Sequence, residues 1–360
     1  MTTERIRVDA EKLIDFSERA LQKVGLLEED AQRTARILVA TDLRGVDSHG
    51  VAHLAIYAKR IREGIINVKP EMKVFSQAPS TAVMDGDRGL GFVIGYRAMT
   101  EAIQRAEETG AGFITVRNSN HFGAGASYAM MALEHDMIGI AMTNTGVGVS
   151  VVPPGSNKAA VGTNPLAVAI PAGKKAPFVL DMATSVVAGG KLEIAQKEGK
   201  PIPVGWAIDK KGKPITDPTT IKPTKGVYDN GGLLPLGGTP TFGSYKGFGL
   251  GVLVDILCGV LSGSSACILK TPGVRSINHF FGALRIDSFL PVENFKKSMD
   301  EMITAFEGLP TLLGFKHVYV AGGYEAEVEN DRRANGIPLN SKVIEQLQEL
   351  AKEVGIECGL

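Results

Sequence analysis

Arg88-Gly89-Leu90-Gly91-Phe92-Val93-Ile94-Gly95 follows a strand-like run and leads into a helical one, Tyr96 to Thr109. That is the setting of a dinucleotide fingerprint, in which glycines let the backbone approach a pyrophosphate at a helix start. The spacing here is G-x-G-x-x-x-G, one residue too long, and the acidic residues Glu107 and Glu108 fall inside the following helix instead of at the end of a second strand. A glycine-rich turn that packs a helix closely on a sheet accounts for the stretch better. No Rossmann unit is expected here.

Upstream, Met72-Lys73-Val74-Phe75 and Thr81-Ala82-Val83-Met84-Asp85 have strand character and are divided by the turn-forming Gln77-Ala78-Pro79-Ser80. Before Asn67-Val68-Lys69-Pro70 the pattern is helical, with Leu13, Phe16, Ala20, Leu21 and Val24 forming one apolar stripe. A domain boundary near residue 70 is expected. Downstream, strands are expected at Ala111–Val116, Ile138–Thr143, Leu166–Ile170, Phe178–Asp181 and Ile277–Ile286, with a short one at Val318-Tyr319-Val320. Helices are expected over Tyr128–His135, Glu293–Phe306 and Asn340–Val354, and Gly322-Gly323-Tyr324-Glu325 reads as a turn. From Lys197 to Gly238, Pro201, Pro203, Pro214, Pro218 and Pro223 oppose regular structure, so this excursion is expected to be a long ordered loop or a lid.

Chemistry concentrates in Asp42-Leu43-Arg44-Gly45-Val46-Asp47-Ser48-His49-Gly50, between two helical segments. Asp47 or Ser48 is placed to cap the second helix, which puts His49 in its first turn, where the helix's positive pole favours a neutral imidazole. An ordinary cap followed by a surface histidine satisfies the same spacing. Asn118 to Tyr128 brings a histidine, His121, two amides and bare backbone to a helix start that can receive an anion such as a pyrophosphate, or can be capped by Ser127 or Asn120. Lys246 also stands at a helix start, where a cation is unfavourable unless it answers an anion such as a cofactor phosphate; a solvated lysine is the alternative. His49 and His53 have the spacing of a zinc pair, with His121 or Asp181 as a third ligand. Gly50, however, occupies the place where the zinc-protease pattern has its glutamate, which leaves a zinc hydrolase as a remote reading.

Composition bounds the alternatives. The chain has 360 residues, 44% of them hydrophobic, enough for two or three domains. Lys plus Arg equals Asp plus Glu at 39 each, so no net field argues for nucleic acid or an anionic membrane. Cys258, Cys267 and Cys358 are an odd set without CxxC spacing, the start of the chain is charged, and no apolar run reaches a bilayer-spanning length; a cytoplasmic location without a secretory leader is expected.

Asp42–Gly50, Asn120-His121-Phe122-Gly123, Gly162-Thr163-Asn164-Pro165, Asp181-Met182-Ala183-Thr184-Ser185 and Tyr245-Lys246-Gly247 resemble, in order over most of the chain, the malate/L-lactate dehydrogenase family that lacks a Rossmann fold. The resemblance implies an α/β, non-Rossmann NAD(P)-dependent oxidoreductase fold: a helical domain at residues 1–70, a largely antiparallel, helix-covered sheet domain at 71–315 with the excursion at about 197–240, and a segment 316–360 packing back on the helical domain. It implies His49 as proton donor/acceptor with Ser48 as its hydroxyl partner, and His53 and Thr163 as substrate contacts. It implies that His121, Phe122, Gly123, Ala124, Gly125, Asp181, Met182, Ala183, Lys246 and Gly247, with Gly323, Tyr324 and Glu325, hold NAD or NADP, and that the enzyme is a homodimer. Arg44 offers a planar fork to a substrate carboxylate, or to Asp42 or Asp47. The substrate expected is a small 2-hydroxy or 2-oxo carboxylic acid, malate/oxaloacetate first, then lactate, sulfolactate or ureidoglycolate, or a cyclic imino acid. Where many relatives have Ala-Arg-Gly this chain has Ala188-Gly189-Gly190, a departure that bears on substrate identity.

Overall fold

The two ends of the chain share one core. The computed structural model describes residues 5–146, 148–221, 228, 231–270 and 276–360; Pro223 and Lys225 of the expected excursion lie outside the described residues. The chain opens with β1 (Arg5–Val8), α1 (Ala10–Lys23), α2 (Glu28–Leu43) and α3 (Leu54–Arg62). Asp9 caps α1 by accepting from the Lys12 N–H at 3.1 Å, and the α1 stripe of Leu13, Phe16, Ala20 and Leu21 is fully buried.

The sheet region follows with β2 (Lys73–Ala78), β3 (Thr81–Asp85), α4 (Gly91–Thr109), β4 (Ala111–Ser119), the short α5 (Ala126–Ala129), β5 (Met137–Thr143), β6 (Leu166–Ile170) and β7 (Phe178–Met182). Next come α6 (Gly189–Glu198), the two-residue strands β8 (Ala207–Ile208) and β9 (Gly232–Leu233), α7 (Ser244–Asp255), β10 (Ile277–Arg285) and α8 (Val292–Glu307). The chain closes with α9 (Gly323–Asn335), β11 (Ile337–Asn340) and α10 (Ser341–Val354). The main sheet has seven strands in the order β2-β3-β4-β10-β5-β6-β7. β3 and β4, joined through α4, are its one parallel pair among the described residues, and the other neighbours are antiparallel. This is an α/β fold with a mixed, largely antiparallel sheet covered by helices.

Among the described residues three larger apolar cores organise these elements, beside a small cluster of Val254, Cys258 and Phe280. The first joins Leu13, Phe16, Leu38, Leu54 and Tyr57 to Ile337, Leu347 and Leu350 from the far end of the chain, and β1 pairs antiparallel with β11 beside it. The second lies under the sheet and includes Ile94, Met99, Ile114, Tyr128 and Phe281. Phe92 and Val93 of α4 belong to the first core and Ile94 to the second, so the start of α4 is the seam between them. The third core joins Ala207, Ile215 and Leu233 of the expected excursion to Val151, Val161 and Leu192 from before it. The described part of that excursion is ordered by this shared core and by the short pairing of β8 with β9.

Other expectations also change. Val318-Tyr319-Val320 forms no strand, and Gly323-Tyr324-Glu325 opens the thirteen-residue α9. The helix expected over Tyr128–His135 is α5 followed by a 3-10 turn over Met130–His135. Among the described residues no helix is long and apolar enough to cross a membrane.

Candidate active site

The start of α4 is closed by protein. A Cβ on Gly91 would stand 2.3 Å from both the Asn120 and the His121 carbonyl oxygens, and one on Gly95 would stand 2.8 Å from the Tyr128 ring. The Asn120 amide donates to Arg88 O at 2.8 Å and Gly89 O at 3.0 Å, tying the glycine turn to the strand-end segment that carries His121. The glycines of residues 88–95 thus admit this chain's own backbone.

That closure brings His121 to the imidazoles of the 42–53 segment. Neither Asp47 nor Ser48 caps the helix that follows His49. Asp42, at the end of α2, does so by accepting from the Val51 N–H at 2.8 Å, and a Cβ on Gly50 would collide with the Asp42 carboxylate at 2.0 Å. Burial pushes the Asp42 pKa up to about 8 against the pull of that N–H; Asp47 adds to the rise and Arg332 opposes it. After a 3-10 turn over Val51–His53, α3 begins. His49, His53 and His121 stack with ring centroids 5.7–6.1 Å apart. Gly123, at φ +78°, lets the 121–125 segment fold against the Phe92 ring and the His49 carbonyl.

The hydrogen bonds define what these rings can do. Ser48 Oγ lies 2.8 Å from His49 Nδ1. His121 Nδ1 accepts from the Gly123 N–H at 3.4 Å and lies 2.7 Å from the Tyr57 hydroxyl. A backbone N–H can only donate, so Nδ1 of His121 is the acceptor and its proton sits on Nε2. Desolvation, then His53, holds the His49 pKa down to about 4; burial also lowers those of His53 and His121. All three residues are half-buried, and together they form one wall of the candidate site. His53 Nδ1 has no hydrogen-bond partner, which fits a polar ligand atom at this wall. Tyr57 was not singled out in the sequence, although His49, His53 and Tyr57 repeat at four-residue spacing.

A second wall lies at the ends of β6 and β7. Gly125 packs where a Cβ would meet Ala167 at 2.9 Å and Asp181 at 3.5 Å, and the Ala126 N–H donates to Asp181 at 2.8 Å. The start of α5, expected to receive an anion or a cap from Ser127 or Asn120, is thus already answered by Asp181; Ser127 Oγ instead faces Thr41 Oγ1 at 3.4 Å. Desolvation lifts the Asp181 pKa to about 6, opposed by the Ala126 and Gly125 N–H groups and by Arg44, and assisted by Glu325. Thr163 O accepts from the Thr184 N–H and hydroxyl, and Leu236 N–H donates to Thr184 O. α7 closes on this group through Gly247, whose Cβ would stand 2.3 Å from Leu236 O, and Gly251, whose Cβ would stand 2.9 Å from the Thr184 hydroxyl. Lys246 is exposed at the start of α7, next to the buried, unpartnered Ser244 Oγ. A helix start with an unanswered hydroxyl and an exposed cation suits an anionic group.

Met182 and Ala183 are half-buried beside Asp181. The Phe122 ring is in the core, stacked on Tyr128 and on His279 at 4.6 Å, so any ligand contact there falls to its backbone. Ala124 is buried as well. Gly323 and Tyr324 open α9, with Glu325 near enough to Asp181 to influence it. Arg44 is paired with Glu329 of α9 at 3.1 Å, and not with Asp42 or Asp47; Asp47 is taken by Arg332. Among the described residues no three His, Cys, Asp or Glu side chains are arranged to hold a metal ion.

The sequence model described as malate/L-lactate dehydrogenase matches residues 8–348. The chain is 44% identical to a malate dehydrogenase of Pyrococcus horikoshii, covering 98% of this chain and 96% of that one. It is 36% identical to an L-sulfolactate dehydrogenase of Methanocaldococcus jannaschii, over 93% and 94% of the two chains. A malate dehydrogenase structure from Entamoeba histolytica superposes with a TM-score of 0.91 at 33% identity, covering 98% of this chain and 99% of that one.

Proposed function

Since the chain belongs to the malate/L-lactate dehydrogenase family and is an oxidoreductase of the 2-hydroxy acid dehydrogenase type, we propose that it interconverts malate and oxaloacetate, with His49 exchanging the proton. The observation that carries this reading is the half-buried His49 imidazole, partnered on Nδ1 by Ser48 and stacked against both His53 and His121. With Nδ1–H donating to Ser48 Oγ, the Nε2 lone pair is free to take the alcohol proton as the hydroxy acid is oxidised. A pKa near 4 keeps that lone pair available across the neutral range. In the reverse direction the same nitrogen donates a proton to the developing alkoxide. His53, with its unanswered Nδ1, orients the substrate together with Thr163, and Arg44 is a further substrate contact.

As a dehydrogenase of this family it uses a nicotinamide cofactor, which supplies or accepts the hydride. NAD or NADP would be held by the 121–125 segment, Asp181, Met182 and Ala183, Lys246 and Gly247, and the Gly323–Glu325 end of α9. The unpartnered Ser244 hydroxyl beside Lys246 fits a cofactor phosphate.

The enzyme acts as a cytoplasmic homodimer in this reading. α7 and its continuation expose Leu253, Ile256, Val260 and Leu261, and the 309–315 segment exposes Leu312, Leu313 and Phe315, an apolar surface suited to a second copy. The free thiols of Cys258, Cys267 and Cys358 suit a reducing compartment.

The test is a panel of malate, lactate, sulfolactate and ureidoglycolate with each cofactor, read by near-ultraviolet absorbance of the reduced nicotinamide. Malate leads in kcat/KM by at least about tenfold, or roughly 1.4 kcal/mol of transition-state binding. Leadership by another acid would reassign the substrate, and equal turnover of a simple alcohol would remove the carboxylate requirement.

A further inference from the structure

α9 reaches the turn that carries His49 with charge as well as packing. Its start is wedged on β7, where a Cβ on Gly322 would stand 2.8 Å from Val179 N, and the Val179 N–H donates to Ala321 O at 2.9 Å. Farther along, Arg332 is only 8% exposed and its guanidinium answers two groups of the turn at once. Nη1 donates to the Asp42 carbonyl at 2.6 Å and to the Asp47 carboxylate, and Nη2 lies 3.5 Å from the other Asp47 oxygen. One turn of helix earlier, Glu329 pairs with Arg44 at 3.1 Å, and Val328 sits 3.1 Å from where a Cβ on Gly45 would be.

We propose that Arg332 is a positioning residue for the reaction: by holding the Asp42 carbonyl and the Asp47 carboxylate together, it fixes the turn that presents Ser48 and His49. A tie between α2 and α9 needs no charge, since Val328 against Gly45 already supplies an apolar one. Burying a guanidinium carries a desolvation cost that an apolar contact avoids. What the planar fork adds is direction. It reads two acceptors five residues apart in the chain and so sets the path of the backbone between the end of α2 and His49. Asp47 immediately precedes Ser48, so a shift of its carboxylate is passed to the Ser48–His49 hydrogen bond. The His49 N–H is meanwhile bonded at 3.0 Å to the carbonyl of Val46, which lies inside the span that Arg332 closes. Small misplacements of a proton-exchanging group reduce turnover steeply, while the residues assigned to the cofactor keep their own anchors, Asp181 on the Ala126 N–H and the start of α9 on β7.

The inference rests on the assignment of His49 as acid/base, and the experiment keeps the two apart. Arg332→Ala, Arg332→Lys, Asp47→Asn and His49→Asn are compared as full-length enzymes for kcat, for cofactor dissociation constant by fluorescence titration, and for rescue by added guanidinium ion at concentrations well below denaturing. Arg332→Ala is expected to lose about tenfold to a hundredfold in kcat, with cofactor affinity within about twofold of the wild type. Guanidinium is expected to restore part of that kcat, and Arg332→Lys to fall between the two. Asp47→Asn, altering the more exposed partner, gives the same split if Arg332→Ala does not fold. His49→Asn loses turnover without guanidinium rescue. Turnover of folded Arg332→Ala within about twofold of wild type overturns the proposal, as does a parallel loss of cofactor affinity without rescue. Retained turnover in His49→Asn instead overturns the acid/base assignment.

Discussion

α4 and α7 both begin in glycine-rich sequence and end up as opposite kinds of helix start. At α4 the space a ligand would need beside Gly91 is filled by the carbonyls of Asn120 and His121, which Asn120 secures with two further hydrogen bonds. At α7, Gly247 is pressed just as closely on Leu236, yet Ser244 keeps an unanswered hydroxyl and Lys246 stands exposed beside it. Glycine spacing marks where backbone approaches something. Whether that something is the protein or a ligand is decided by the polar groups left over. The start of α3 is a third case, closed by the Asp42 carboxylate reaching across from the preceding helix.

The contrast is most open to attack at Gly91. Gly91→Ala forces a methyl onto two backbone oxygens that have no freedom to move apart, so a loss of several kcal/mol is expected, seen as a large drop in Tm or failure to fold. A folded variant with unchanged Tm and weakened cofactor binding would reopen the fingerprint reading. Lys246→Ala should raise the cofactor dissociation constant about tenfold, the range of one charge-assisted contact, and leave stability within ~0.5 kcal/mol. Ser244→Ala separates the two kinds of helix start more finely. Removing a hydroxyl with no partner should leave Tm equal or higher, while cofactor affinity falls by about twofold to fivefold, less than for Lys246 because a neutral donor is the weaker one.

The smallest expected effect concerns the third helix start and is read as a slope. Asp42 has a folded pKa near 8, above its ordinary carboxylate value, so between those values the native state holds a proton that the unfolded chain has released. Stability from this group therefore falls as pH rises toward 8. Asp42→Asn, which can still accept from Val51, should flatten that decline in a Tm-against-pH series. His49 acts in the opposite sense: its folded pKa near 4 lies below 6.5, so the unfolded chain takes the proton first and stability is lost as pH falls through that window. An unaltered slope in Asp42→Asn between the ordinary carboxylate range and pH 8 would contradict a protonated Asp42.

Much of the sheet was legible because its strands are short apolar runs bounded by turns; β6 has the expected limits and β3 also matches. The His49 turn stood out because a cation, carboxylates, a hydroxyl and an imidazole crowd nine residues. What could not be read has a common cause, namely partners distant in the chain. α9 is polar along nearly its whole length, with no apolar stripe to announce a helix, and it is fastened by Arg332 and Glu329 to residues more than 280 positions away. β1 and β11 pair across a similar separation. Asp42 caps a helix it precedes by nine residues because the turn folds back over Gly50, and no local spacing rule anticipates that. The third core was obscured by its prolines, which forbid long elements without forbidding a compact arrangement of short ones.

In the proposed reaction the His49 imidazole, packed against Ser48, His53 and His121, exchanges the proton without itself holding the cofactor. The most direct measurement is kcat for hydroxy acid oxidation by His49→Asn, together with its cofactor dissociation constant. The expected result is a fall in kcat of about two to four orders of magnitude with cofactor affinity nearly unchanged; near-normal turnover in the folded variant would contradict it.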